Sequence, residues 1–107
     1  MVKISILYPN QRGSRFEMNY YIHQHMPMSI ERLSAHPGFK GVSVERGLSG
    51  DTPGSAPTYV AMCHFLFDSM EDFLAAFMPH AEFLQGDIPN YTNIESIIQV
   101  GAVEITR

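Results

Sequence analysis

Apolar and polar residues alternate at the start of the chain. Val2, Ile4, Ile6 and Tyr8 point one way, and Lys3, Ser5 and Leu7 the other. A period of two predicts a strand, ended by Pro9-Asn10 and a polar turn through Gly13. From Ser14 the period lengthens. Phe16, Tyr20 and His23 fall at helical spacing on one face, and Glu17, Tyr21, His25, Met28 and Arg32 on a neighbouring one. Ser14 with Glu17 three residues on has the capping-box spacing, which predicts a helix start there. Pro27 lacks the N–H that would pair with the His23 carbonyl, and it disfavours helical geometry at Met26. The helix is therefore predicted to stop or kink just after His25. Ile30 and Leu33 continue the stripe until His36-Pro37-Gly38 ends it.

Phe39 to Leu48 alternates again and predicts a second strand; Ser49 to Pro57, dense in Gly, Pro, Ser, Asp and Thr, predicts a mobile loop. Thr58 to Phe67 is the strongest strand. Tyr59, Ala61, Cys63, Phe65 and Phe67 form one face and Val60, Met62, His64 and Leu66 the other. Both faces are largely apolar, so this strand should be central and covered on both sides. Ser69 and Asp72 cap a second helix with Met70, Phe73, Leu74 and Phe77 as its stripe. Pro79 opens a further turn that Gly86 closes, a loop follows from Asp87 to Asn93, and a last strand runs from about residue 97 to 105.

Strand, helix, strand, strand, helix, strand is the βαββαβ order of an α+β, ferredoxin-like fold. It predicts a four-stranded antiparallel sheet with its helices on one face, in a single domain spanning residues 1–107. The opposite sheet face then has no cover from the same chain. Each large apolar side chain left in water forgoes about 1.5–3 kcal/mol. A second subunit laid sheet against sheet, enclosing a small cavity, is the expected solution.

Composition removes several classes of function. The net charge is −4 with no basic run, which argues against nucleic acid or an anionic membrane as partner. The single Cys63 allows no internal disulfide and fits a reducing compartment, with burial as a small hydrophobe its ordinary role. The first residues are too short for a signal peptide and no apolar run could span a bilayer, so a cytoplasmic location is expected. No dinucleotide fingerprint, P-loop or haem-attachment motif is present.

The chemistry concentrates around His25. Its imidazole titrates near neutral pH and can take or give a proton with little tuning. Tyr21, one turn earlier, could orient it; alternatively the ring only ties the helix break to the sheet. His23 and His25 form a His-x-His pair, yet residues two apart on a helix point about 200° away from each other and no third ligand is evident, so no metal is expected. His64 is either a satisfied core histidine or, if its face lines the barrel, a second proton-transfer group. Asp87 and Asn90 flank Pro89 in a turn, where the Asp87 carboxylate is expected to accept nearby backbone N–H bonds.

Three stretches together resemble the EthD-like family of the dimeric α+β barrel superfamily. They are Phe16-x-x-x-Tyr20-Tyr21-x-x-x-His25-x-Pro27, the His36-Pro37-Gly38 stop, and Asp87-Ile88-Pro89-Asn90-Tyr91-Thr92 ahead of Ile97-Ile98-Gln99-Val100-Gly101. The resemblance covers nearly the whole chain. It implies a homodimer with a central barrel, a pocket in each subunit and a link to oxidative breakdown of small organics. Relatives in the wider superfamily include monooxygenases, cyclases, isomerases and haem enzymes, so the family fixes fold better than reaction. The expected catalytic groups are His25, Tyr21 and His64, with Tyr20, Asp87, Asn90 and Tyr91 as substrate contacts. Two functions follow. One is a cofactor-independent oxidoreductase, monooxygenase-like enzyme, cyclase or isomerase acting on a small hydrophobic or aromatic metabolite. The other is a non-catalytic binding protein serving a partner oxygenase.

Overall fold

The computed structural model describes all 107 residues. Its elements are β1 (Val2–Pro9), α1 (Met18–Tyr20), a π-turn (Tyr21–His25), α2 (Met26–Ser34), β2 (Phe39–Arg46), β3 (Tyr59–Phe67), α3 (Met70–Phe77), a 3-10 turn (Met78–His80), α4 (Ala81–Asp87), a second 3-10 turn (Ile88–Asn90) and β4 (Ile97–Ala102). The strands form one four-stranded sheet in the order β2-β3-β1-β4, every pair antiparallel. This is the ferredoxin-like arrangement that the element order predicts.

Register decides which side chains face the helices. Ile4 sits opposite Phe65 and Ile6 opposite Cys63, so the Val2–Tyr8 set and the Ala61–Phe67 set share one face. Helices cover that face, and Ile4, Tyr8, Ala61, Cys63, Phe65 and Phe67 are buried against it. From the helix side come Tyr21, Met26, Leu33 and Ala76. Ser5 opposite His64 and Leu7 opposite Met62 face the other way. On that side Leu7, Val60, Met62 and Leu66 are only half-buried and Ile97 is 48% exposed. Helices of the same chain thus cover one face of β3 and leave the other open.

Several boundaries differ from the sequence expectation, each for a tertiary reason. The first helix does not start at Ser14, whose hydroxyl donates to the Gln11 carbonyl. Phe16 is held in an isolated bridge to Thr92, and the Glu17 N–H donates to the Tyr91 carbonyl at 2.7 Å. With that segment extended, Glu17 becomes the N-cap and makes no side-chain cap. At the second helix the cap is as expected: Ser69 accepts from the Asp72 N–H at 3.1 Å. β4 ends at Ala102 rather than near 105 because its partner runs out, Val2 standing opposite Ala102. β2 likewise stops at Arg46 instead of Leu48.

Pro27 does not end the helix. The chain instead widens by one residue ahead of it, and the Met26 N–H donates five residues back to the Tyr21 carbonyl. A proline ring clashes with the carbonyl four residues before it and offers no donor, and a π-turn accommodates both facts while the helix continues. No helix is long and apolar enough to cross a membrane.

Candidate active site

A cavity of about 100 Å³ lies between the helices and the sheet. Ile6, Tyr8, Cys63 and Phe65 form its floor; Tyr21, His25, Met26, Ser29 and Leu33 one wall; Phe73, Phe77, Leu84 and Ile88 another. Gln85, Ser96 and Ile98 stand at the rim. Ile98 is 62% exposed because the helices do not extend over the β4 edge of the sheet. None of the seven Lys and Arg residues lines the cavity. The volume suits a small organic molecule, since an engineered apolar cavity of about 150 Å³ takes benzene.

His25 stands in the wall with Tyr21, and it is 7% exposed. Its Nδ1 lies 2.9 Å from Asp87 Oδ2. The other carboxylate oxygen accepts from the Tyr20 hydroxyl at 2.6 Å and from the Asn90 side-chain amide at 2.9 Å. Burial raises the Asp87 pKa, but the bonds from Tyr20, His25 and Asn90 outweigh it, and the net shift is below the ordinary carboxylate value. Burial lowers the His25 pKa more than Asp87 raises it, so the imidazole is neutral at pH 7. An ionised Asp87 can only accept, which assigns the proton to Nδ1 and leaves the lone pair on Nε2. Nε2 makes no hydrogen bond within the chain, yet it is not among the sealed polar atoms. A neutral imidazole with one nitrogen fixed and the other free in an apolar cavity has the arrangement of a general base.

The π-turn builds this arrangement. In a regular helix Tyr20 and His25, five apart, diverge; here both reach one carboxylate. The Ser29 hydroxyl donates to the His25 carbonyl at 3.0 Å and occupies an acceptor beside the proline break. Sequence reasoning missed that contact, although a Ser inside a helix commonly bonds back to the carbonyl four residues before it. The loop expected from Asp87 to Asn93 is instead a helix end and a 3-10 turn. Asp87 therefore accepts from side chains of three positions; the Tyr91 and Thr92 N–H groups donate to the Ile88 carbonyl, not to Asp87.

Tyr21 lies beside His25 without orienting it by a hydrogen bond. The two rings stack at 6.1 Å and 14°. The Tyr21 hydroxyl is buried with no partner in hydrogen-bonding geometry, and the Cys63 thiol stands beside it. Burial pushes the Cys63 thiol up to about 12, which makes it a packing group and not a nucleophile. Tyr91 touches the His25 ring at 4.6 Å between centroids and shares a 2.7 Å hydroxyl contact with Tyr8. Tyr8 was missed as a site residue; its inward position on β1 was legible, its bond to Tyr91 was not.

His64 does not join this group. Strand alternation turns it to the uncovered sheet face, opposite Cys63 and Phe65, which face the cavity. There Ser5 Oγ lies 2.7 Å from its Nδ1 and Glu45 3.2 Å from its Nε2. His64 and His25 cannot act together within one chain. His23 is exposed while His25 is buried, so the His-x-His pair does not converge, and no three His, Cys, Asp or Glu side chains gather at metal-binding range.

The EthD domain model matches residues 15–95, which span every group of the site from Tyr20 to Tyr91. The chain belongs to the EthD family. An EthD-like protein of Ralstonia eutropha JMP134 is 40% identical over 99% of this chain and 94% of its own, with a TM-score of 0.89. An EthD family protein of Bacillus halodurans C-125 is 20% identical, covers 96% and 98% of the two chains, and superposes with a TM-score of 0.68. SnoaB of Streptomyces nogalater, a cofactor-independent oxygenase, shares the fold at 13% identity and a TM-score of 0.59, over 98% of this chain and 93% of its own. None of the curated proteins matches the sequence. The EthD chain and SnoaB thus share the four-stranded ferredoxin-like fold.

Proposed function

We propose that this EthD protein is a cofactor-independent enzyme that deprotonates a small apolar or aromatic metabolite, with His25 Nε2 as the base. The observation that supports this most is the division of labour in one imidazole: Nδ1 bound to an ionised carboxylate, Nε2 unpaired beside an apolar cavity. The base takes a proton from a carbon next to a carbonyl or from a phenolic oxygen, and the electron pair stays on the substrate. Returned to a proton at another carbon, that pair gives an isomerase outcome; spent on a bond to a carbonyl carbon of the same molecule, whose oxygen then takes the proton back from the imidazolium, it gives a cyclase outcome. Given to dioxygen as co-substrate, it gives an oxygenase outcome, which the description of SnoaB favours. Asp87 holds the ring and balances the imidazolium charge as it forms, and Tyr21, Phe73 and Phe77 exclude water. The contribution of such a base is roughly 10²–10⁴ in rate.

The functional unit is a homodimer in this reading. Leu7, Val60, Met62, Leu66 and Ile97 line the open sheet face, and two copies packed through it cover one another. His64, with Ser5 and Glu45, then belongs to the interface and not to the reaction.

Metabolites that co-purify with the native protein, identified by mass spectrometry, supply the substrate. Turnover is then followed in air and under nitrogen. His25→Asn should fold, dimerise and bind the ligand while losing most turnover. Full turnover in that variant refutes the assignment, and binding without turnover in the wild type makes the protein a carrier for a partner oxygenase.

A further inference from the structure

Asp87 receives more donors than a simple His–Asp pair needs, and they are unevenly placed. Oδ1 accepts from the Tyr20 hydroxyl at 2.6 Å and the Asn90 amide at 2.9 Å, while Oδ2 is left to His25 alone at 2.9 Å. We infer that Tyr20 and Asn90 are positioning residues for the base: by occupying Oδ1 they fix the carboxylate and turn Oδ2 to His25 Nδ1, which places the reactive lone pair on Nε2. Calling Nε2 reactive rests on the reading above; the arrangement of protons does not.

The two donors bond only to the carboxylate and to each other. The Asn90 amide nitrogen also approaches the Tyr20 hydroxyl at 3.4 Å, so the two close into a ring around one oxygen. Both belong to stretches expected to contact substrate, but their polar atoms face the carboxylate. They come from separate elements, Tyr20 from the end of α1 and Asn90 from the 3-10 turn after α4. Their convergence fixes the carboxylate plane, where a single donor would leave it free to rotate. No cation substitutes for them. Arg15, in the same corner, gives its guanidinium to the Pro89 carbonyl at 2.7 Å and lies 3.6 Å from Glu17. His25, once protonated, is the cation that acts on Asp87, and Asp87 is the anion that acts on His25.

Neutral donors suit a base better than a cation would. A guanidinium at Oδ1 would cancel the carboxylate charge and weaken the imidazolium that the reaction forms. Hydroxyl and amide donors hold the carboxylate ionised in a half-buried place and leave its full charge facing Nδ1. The raised pKa of the Tyr20 hydroxyl, caused first by its bond to Asp87, agrees with that direction of donation.

The test is a titration of Asp87 by its carboxyl ¹³C shift and of His25 by its ring ¹⁵N shifts, in wild type, Tyr20→Phe and Asn90→Ala. In each variant the Asp87 pKa should rise by roughly one unit, since burial is then less well opposed. His25 should fall further, because a carboxylate free to rotate meets the imidazolium less well. Its neutral form should keep the proton on Nδ1 less completely than in the wild type. Unmoved titrations with a lowered melting temperature would mean that the two residues only pack, and would overturn the inference. Asn90 is exposed, so its variant carries the test if Tyr20→Phe fails to fold. Failure of His25 as the base would appear as full turnover in His25→Asn, a result these titrations neither need nor affect.

Discussion

Replacing Asp87 by Ala removes one acceptor from three donors at once. Two of those donors lose little. Tyr20 is only half-buried and Asn90 is exposed, so water takes the place of the carboxylate. The third is different: His25 is 7% exposed, and its Nδ1–H would be left without a partner. Leaving one buried donor unpaired costs about 1–3 kcal/mol. A domain near this size has about 5–15 kcal/mol in total, so the variant stays folded. At about 4–8 °C per kcal/mol, its melting temperature should fall by roughly 5–20 °C at pH 7. Asp87→Asn keeps an oxygen for Nδ1–H and should lose much less. The pH dependence gives a second check. The folded Asp87 pKa lies below 3.8, so its contribution is fully present above that value and is lost as pH falls through the folded pKa. The gap between wild type and Asp87→Ala should therefore shrink on acidification below 3.8. Calorimetric melts from pH 3 to 7 read both effects. An unchanged melting temperature in Asp87→Ala at pH 7 would refute the argument, because it would mean that the His25–Asp87 contact stabilises nothing.

His25 makes its own acid slope: its folded pKa is below the ordinary 6.5, so the unfolded chain binds the extra proton between the two values and stability falls as pH drops through that window. Urea melts should show a slope of at most about 1.4 kcal/mol per pH unit there, absent in His25→Asn. Tyr21→Phe removes a buried hydroxyl that has no partner, so its stability should be unchanged or up to about 1 kcal/mol higher; a clear loss by thermal melt would reveal a hidden hydrogen bond to that oxygen. Met62→Lys puts a charge into the open sheet face without touching the cavity, and sedimentation at low micromolar concentration should show a dimer for the wild type and a folded monomer for the variant; a dimeric variant would move the interface elsewhere. Pro27→Ala restores a donor at the π-turn yet should leave it in place, because Tyr21 on one side and Met26 and Leu33 on the other are already locked in the core; a changed His25 titration would show that the proline alone holds the turn.

Much of the fold was legible because it depends on local period. The alternation in β1 and β3 assigned Ile4, Cys63, Phe65 and Phe67 to one face, and the Ser69–Asp72 cap was read at the right residues. The failures share a cause. Ser14 and Glu17 have the spacing of a capping box, but a bridge to Thr92, 76 positions from Phe16 in the chain, holds that segment extended. β4 was drawn too long because its end depends on where β1 begins. The alternation also sets His64 on the face opposite Cys63 and Phe65, as observed; its role as a second proton-transfer group depends on that face lining a barrel with a second copy, which local period does not encode.

The site shows the same division at a finer scale. Pro27 marks where the helix must become irregular, and that much follows from a missing N–H and a ring that clashes one turn back. Whether the helix stops, kinks or widens is decided elsewhere, by what each half already buries. Here Tyr21 and His25 pack before the proline, Met26, Ser29 and Leu33 at and after it, and one extra residue in the turn satisfies both sets. The widening then brings Tyr20 round to the carboxylate that also holds His25, a pairing that α-helical spacing excludes. Glu17 and Tyr21, the partners that α-helical spacing offers to His25, make no hydrogen bond to it; Glu17 faces Arg15 and the Tyr21 hydroxyl is unpaired. The acid comes from α4 instead, 62 residues away in sequence. The widened turn, held by the packing on either side of the proline, thus lets an amphipathic helix aim two side chains at a single acceptor, and the chemistry of His25 depends on that local irregularity more than on any residue beside it in the chain.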